Sequence, residues 1–314
     1  MKKLKDFLES EKPLRLIELT EDEEKMIRSY PFITRKKLVI AVHPKFPAAL
    51  KEAQAISDFL KEHGLDVPLG SLTDEDLRMR VKAGEFDVLI AVGGDGTILR
   101  AGHLCAPSGV PVLGINMGKF GFLIQVKLDN WKTMLQQMLD GDFWVEKRLM
   151  LRVELYRAGE SQGIWHALNE ASVSRGQFLN PVRIAASVDG LHLASYVADG
   201  LLAATATGST AYALAAGGPI LPPDLRNILI VPVAPHLSVD RAVVLAEGSS
   251  VSITVQSDNA VLSVDGQSPI GLDAGDRVDI RSADYSVKFI RFGDLGYFYR
   301  NITAHMYQNP TTGI

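Results

Sequence analysis

The chain has 314 residues, 46% of them hydrophobic and 22% charged, enough for a large buried core and for division into two domains. A formal net charge of −4 supplies no global attraction for nucleic acid or an anionic membrane, so neither is expected as a partner and any bound anion has to be held locally. The single cysteine, Cys105, excludes an intramolecular disulfide and reads as a small buried hydrophobe on a helix rather than a nucleophile.

In chain order, the opening "MKKLKDFLESEKPLRLIELTEDEEK" is charged throughout and lacks an apolar h-region, which argues against a secretory signal and for a cytoplasmic location. From Leu38 the pattern runs "LVIAVHP", "AALKEAQAISDFLKEHG", "DVLIAVGGDG", a helix-like run through Cys105, then "VPVLGINMG". Short apolar, β-branched runs alternating with helical segments predict a parallel sheet covered on both faces. In the first helix Ala49, Ala53, Ile56 and Leu60 recur at helical spacing, and Gly64 supplies the stop. "DNWKTMLQQMLDGDFWVEKR" reads as a last amphipathic helix and a short link.

Within the first half, the strand Val88–Val92 runs into Gly93-Gly94-Asp95-Gly96-Thr97, and "ILRAGHLC" continues as helix. Glycines at such a bend permit positive φ and let a ligand reach main-chain N–H groups with no Cβ in the way. The helix that follows presents its dipole to an anion, for which phosphate is the natural candidate. A carboxylate at a phosphate cradle then needs compensation: Asp95 takes the proton of an attacking hydroxyl, or it meets the Mg²⁺ of a nucleotide. The alternative is a plain strand-to-helix turn capped by Asp95. The pattern is neither GxxxxGK[ST] nor GxGxxG, which counts against a hydride-transferring dehydrogenase.

Past Leu149 apolar and polar residues alternate: Val153 and Leu155; Val251, Ile253 and Val255; Val278 and Ile280. With "VDG" at 188–190 and 264–266 and "SDN" at 257–259, this predicts antiparallel strands and hairpins. The uncharged run from Leu201 to Leu221 is long enough to cross a bilayer, but its small residues supply little transfer energy, so it reads as a packed or ligand-lining segment. There Thr205, Thr207, Ser209 and Thr210 offer hydroxyls beside Gly208, and Tyr212 a stacking face, a chemistry that suits a nucleoside. Asn169-Glu170 either holds a ribose diol or an adenine edge or sits on a hairpin surface, and Asp199-Gly200 poses the same choice. Asp265-Gly266 reads as a turn, leaving Gln267 as a candidate contact. His236 reads as structural, and the other histidines lack metal-ligand spacing.

Taken together and in order, "GGDGT", "GINMGKFGFL", "LNE", "DGLLAATATGSTAYALAAGGPI" and "VAPHLSVDRAVVL" resemble the NAD kinase family, which phosphorylates the adenosine ribose 2′-hydroxyl of NAD to make NADP. The resemblance implies an α/β domain with a parallel sheet over 1–148, a β-rich NAD-binding domain over 149–287, and a return of 288–314 to the first. It makes Asp95 the acceptor of the hydroxyl proton, Gly96 part of the same bend, and Arg100 a neighbour of the ligand. It assigns Asn169 and Glu170 to the adenosine, Asp199 with Thr210, Ala211, Tyr212, Ala213, Leu214 and Ala215 to the dinucleotide, and Gln267 to a further contact. The implied donor is ATP or polyphosphate, with Mg²⁺ or another divalent cation held through its phosphates and by no direct protein ligand. The implied assembly is a homodimer or homotetramer in which residues near Asp199 and Tyr212 face a neighbour's ligand. Departures from the family pattern are Ala206 for proline, Phe120 for leucine, Ala215 for serine, and Val197 for a basic residue two positions before Asp199.

Lipid kinases and sugar-phosphate kinases share the GGDGT bend, but an apolar entrance or membrane-contacting amphipathic helix is not evident, and "LNE" and "TATGSTAY" favour a nucleoside acceptor. From another class, a non-catalytic NAD(H) or NADP(H) sensor would keep the pocket; retention of Asp95 in the full constellation weighs against it.

Overall fold

Strands β1 (Leu38–Val42), β3 (Val88–Gly93) and β4 (Val112–Asn116) are buried at every position, so both faces of the sheet they form have to be covered. The computed structural model describes residues 37–43, 47–118, 121–176, 180–236, 239–294, 296–300 and 302. Its first sheet runs β2 (Leu69–Ser71), β1, β3, β4, β19 (Val287–Arg291), β6 (Trp144–Arg148), with the short β5 (Val126–Lys127) beside β4. The pairs from β2 to β4 are parallel, as is β4 with β19, whereas β19 and β6 are antiparallel. Connecting helices are α1 (Pro47–Glu62), α2 (Glu75–Lys82), α3 (Asp95–Cys105) and α4 (Trp131–Asp140). The buried face of α1 consists of Ala49, Ala53, Ile56 and Leu60, as its spacing predicts, and Gly64 turns the chain with φ +78°.

The expected link after α4 is instead strand β6. Its three consecutive charges, Glu146-Lys147-Arg148, disguised it, because Glu146 and Arg148 point into the protein and are buried there.

The second half is two antiparallel sheets face to face. One orders as β11 (Leu191–Ala198), β10 (Val182–Val188), β15 (Val251–Val255), β18 (Arg277–Ser282), β7 (Leu151–Arg157), β8 (Glu160–Ala167). The other orders as β14 (Val243–Leu245), β13 (Ile228–Val233), β12 (Gly200–Ala204), β9 (Glu170–Arg175), β16 (Ala260–Val264), β17 (Ile270–Leu272). The period-two residues Val153, Leu155, Val251, Ile253, Val255, Val278 and Ile280 all enter the core between them, each fully buried side chain contributing about 1.5–3 kcal/mol. Asp189-Gly190 and Asp265-Gly266 take the left-handed φ of tight turns, joining β10 to β11 and β16 to β17.

One expected turn, at 257–259, and two positions for which a hairpin is one of two readings are crossings between sheets. Ser257–Asn259 carries the chain from β15 to β16, Leu168-Asn169 from β8 to β9, and Asp199 from β11 to β12. A hairpin keeps both strands in one sheet; here each pair is split, because both sheets contribute alternate residues to one core. Strand β12 is buried on both faces: Leu201 and Ala203 face the sandwich, while Leu202 and Ala204 pack on Ala206, Ala213 and Leu221 of the segment that follows. That accounts for the uncharged run, and no described helix is long and apolar enough to cross a membrane.

Candidate active site

At the end of β3 the chain enters α3 through Gly93 and Gly94. None of Gly93, Gly94 and Gly96 has positive φ, contrary to the expectation for this bend; the strand passes into the helix by an extended residue, Gly94 at φ −94° and ψ −178°. Gly93 is needed for packing, since a Cβ there would lie 2.4 Å from Thr97 Oγ1. Gly94 and Gly96 meet no atom within 4 Å of where a Cβ would project. Packing against the described residues therefore places no demand for glycine at either position.

Asp95 is not the helix cap. Gly94 holds that position without a side-chain cap bond, and Asp95 is the first helical residue. Its carboxylate reaches across to the 121–123 backbone, where Phe122 N–H donates to Oδ2 at 2.9 Å. Oδ1 is buried and has no hydrogen-bond partner among the described residues. Burial raises the proton affinity of this carboxyl above the usual carboxylate range, against the opposing pull of the Phe122 and Leu123 N–H groups and of the Arg291 charge. A bare, partly desolvated carboxylate oxygen has the chemistry to accept a proton.

The second half of the site is held by Asp265. Its Oδ1 accepts from the N–H of Asn169 and of Glu170, both at 2.9 Å, and its Oδ2 from Leu168 N–H at 2.7 Å. Oδ2 also meets His103 Nε2 at 2.6 Å, and His103 lies on α3, two turns or about 12 Å along the helix from Asp95. Opposite, Thr205 N–H donates to Asn169 O at 2.8 Å and Thr205 Oγ1 to Leu168 O. Gly208 packs so closely that a Cβ would fall 2.1 Å from Asn169 O. The "LNE" and "TATG" segments thus form one rigid unit, with Glu170 in it pushed up to about 7 by burial and then by the Asp265 charge. Glu170 Oε2 is buried and unpartnered among the described residues.

Of the other predicted residues, Arg100 is exposed and meets His43 Nε2 at 3.0 Å. Asp199 pairs with Arg175 at 3.1 Å, so a basic residue does stand beside it, supplied by β9 rather than by position 197. Thr210 Oγ1 donates to Thr207 O at 3.1 Å. In α5 (Tyr212–Ala215) the side chain of Ala213 is fully buried in packing, Leu214 is half-buried, Ala215 is exposed and Tyr212 is 46% exposed; Ala211, just before it, is half-buried. Gln267 is exposed in the turn after β16. No hydrogen bond or ion pair among the described residues joins Asp199, Tyr212 or Gln267 to Asp95. Phe120 lies outside the described residues. Cys105 is buried, and burial pushes its thiol up, as expected of a core residue.

Sequence reasoning missed Asp265, His103, Gly121 and the buried group Glu146, Arg148 and Arg291. The "GKFGFL" motif was a signal for Gly121; the charges in β6 and β19 carried none, because their partners are remote in sequence.

A carboxylate left bare on one oxygen beside a helix N-terminus, on a parallel sheet joined to a β-sandwich, is the equipment of a phosphotransferase whose acceptor is an alcohol. Residues 38–143 match the family model for the ATP-NAD kinase N-terminal domain, and residues 168–292 that for the ATP-NAD kinase C-terminal domain. The chain belongs to the NAD kinase family. It is 36% identical over 262 residues to the NAD kinase of Heliobacterium modesticaldum, covering 80% of this chain and 92% of the relative. It is 35% identical over 272 residues to that of Chloroflexus aurantiacus, covering 86% and 98%. Among solved structures it is similar to yeast NADH kinase complexed with NADH, with TM-score 0.74, 26% identity and coverage of 87% and 88%. It is also similar to an NAD kinase from Archaeoglobus fulgidus in complex with ATP, with TM-score 0.68, 25% identity and coverage of 85% and 98%.

Proposed function

We propose that Asp95 is the general base of this kinase. The 2′-oxygen of the NAD adenosine ribose attacks the terminal phosphoryl of ATP in line; the new O–P bond forms as the bridging bond to ADP breaks, and the hydroxyl proton passes to Asp95 Oδ1. Phosphoryl transfer asks little covalent chemistry of the protein, so the chain's work is to orient the hydroxyl, take its proton and exclude water. The observation that supports this reading is Asp95 Oδ1, packed against Gly121, buried and unpartnered among the described residues.

Asn169 and Glu170, locked by Asp265 and Thr205, are the natural holders of the adenosine. Asp199, Thr210 and Tyr212 belong to the remainder of the dinucleotide, and the half-exposed ring of Tyr212 suits a ligand shared across a homodimer or homotetramer. Arg100 and Gln267 stand as candidate contacts. Mg²⁺ or another divalent cation would be held through the phosphates of the donor with no direct protein ligand, and would supply charge neutralisation on the transferring oxygens. The protein is proposed to act in the cytoplasm.

The test crosses NAD and NADH with ATP and polyphosphate in the presence of Mg²⁺ and detects NADP or NADPH, for the wild type and for Asp95→Asn. Product from the wild type and a loss of about 10²-fold or more in the variant supports the assignment. Equal turnover in the two removes Asp95 from the role.

A further inference from the structure

We propose that Arg291 is a positioning residue for Asp95: it fixes the backbone that holds the carboxylate and ties that backbone to the threonine segment of the sandwich. The inference rests on the reading of Asp95 as the base.

Arg291, on β19, is 3% exposed. Its Nη1 donates to Leu123 O at 2.9 Å and its Nε to Glu146 Oε2 at 2.8 Å. Leu123 is thus gripped at both ends of its peptide groups: its N–H faces the Asp95 carboxylate and its carbonyl is held by the guanidinium. Glu146 Oε2 also takes Arg148 Nη2 at 2.9 Å, and Arg148 Nη1 donates to Thr207 Oγ1 at 3.1 Å. Both guanidiniums lie over the Phe289 ring, at 5.1 Å for Arg291 and 6.0 Å for Arg148. An unbroken chain of contacts therefore runs from Asp95 through residues 122–123, Arg291, Glu146 and Arg148 to Thr207.

Two guanidiniums buried on one carboxylate are a poor device for stability, since apolar side chains of similar volume fill such a place as well or better. What the arrangement supplies is direction. A planar fork fixes a carbonyl in angle as well as distance, and a base displaced by about 1 Å loses much of its effect. Arg291 also contributes the positive charge that draws the proton affinity of Asp95 down against burial. Among the described residues, the ionisable groups on this side of Asp95 are Arg291, then Glu146 and Arg148, and the Tyr297 hydroxyl, which donates to Ile124 O at 3.2 Å.

The experiment compares Arg291→Met, Arg291→Lys and the triple variant Glu146→Leu/Arg148→Met/Arg291→Met with the wild type and Asp95→Asn, measuring kcat, KM for NAD, the pH profile of kcat/KM and thermal unfolding. The expected result for Arg291→Met is a kcat lower by about 10- to 100-fold with KM for NAD within about threefold. The acid limb moves to higher pH, because the charge that holds Asp95 down is gone. Arg291→Lys restores the charge without the fork, so its limb returns towards the wild-type pH while kcat stays low. The triple variant keeps or gains thermal stability and loses turnover like Arg291→Met, which a purely structural role does not predict. A folded Arg291→Met or triple variant with wild-type kcat and an unmoved limb overturns the proposal, as does a change confined to KM. Where Arg291→Met does not fold, the triple variant decides; where neither folds, the kcat of Arg291→Lys decides. Asp95→Asn separates the premise: wild-type turnover there sinks the base assignment whatever Arg291 does.

Discussion

Gly121 and Asp95 share one space: a Cβ on Gly121 would lie 2.3 Å from Asp95 Oδ1 and 3.0 Å from its Cγ. The glycine leaves room for the carboxylate to lie on the peptide groups that follow. Gly121→Ala is therefore expected to move the carboxylate or the loop, lowering turnover by about 10²-fold at an overpacking cost of about 1–3 kcal/mol. Initial rates beside a thermal melt separate the two; full turnover in the variant would mean that this placement does not matter.

Asp95→Asn should be at least as stable as the wild type. The amide oxygen keeps the Phe122 N–H bond, and the variant no longer buries a charge. Because burial raises the folded-state proton affinity of Asp95, its ionisation lowers stability as pH rises from the ordinary carboxylate range through the raised value. The advantage of the variant is thus small in acid and larger at pH 8. Denaturant melts at the two pH values check this, and a destabilised variant at pH 8 would contradict it.

Glu170→Gln follows the same sign with a defined window. The wild-type side chain is held at about 7, so its contribution to stability is present below its ordinary value near 4.5 and lost as pH rises through 7. The variant is expected to gain on the order of 2–3 kcal/mol over the wild type at pH 8 and little at pH 4, while NAD binding weakens. Urea unfolding combined with NAD titration reads both.

Asp265→Ala removes the acceptor for three backbone N–H groups and the partner of His103. The expected loss is about 3–5 kcal/mol, from buried donors left without partners. In a milder Asp265→Asn variant KM for NAD rises and the proton affinity of Glu170 falls, since the Asp265 charge contributes to raising it. An unchanged KM and an unchanged Glu170 titration by NMR would separate this clamp from ligand binding.

Sequence pattern reported what is local. The four buried positions of α1, the burial of β3 and the inward residues of β7, β15 and β18 follow from periodicity alone, because a repeat of 3.6 or 2 residues is a property of neighbours. Asp265 shows the limit. Its turn was legible and its left-handed φ of +47° agrees, yet its side chain serves residues 95 to 97 positions away. Arg291 and Glu146, 145 positions apart, look like the solvated charges of exposed strands until the sheet brings them together. Asp95 was legible as a candidate, but not the peptide groups that hold it, since "GKFGFL" gives no direction in space.

Strand β19 is inserted between β4 and β6 of the first sheet although the entire sandwich separates it from them in the chain. A ribosome making this protein releases the GGDGT bend long before it releases residues 287–291. Until those residues emerge, β4 and β6 have a gap between them and Leu123 lacks its guanidinium. The surroundings of Asp95 are consequently completed late in biogenesis, and nascent chains that stop short of β19 carry the motif without a finished sheet behind it.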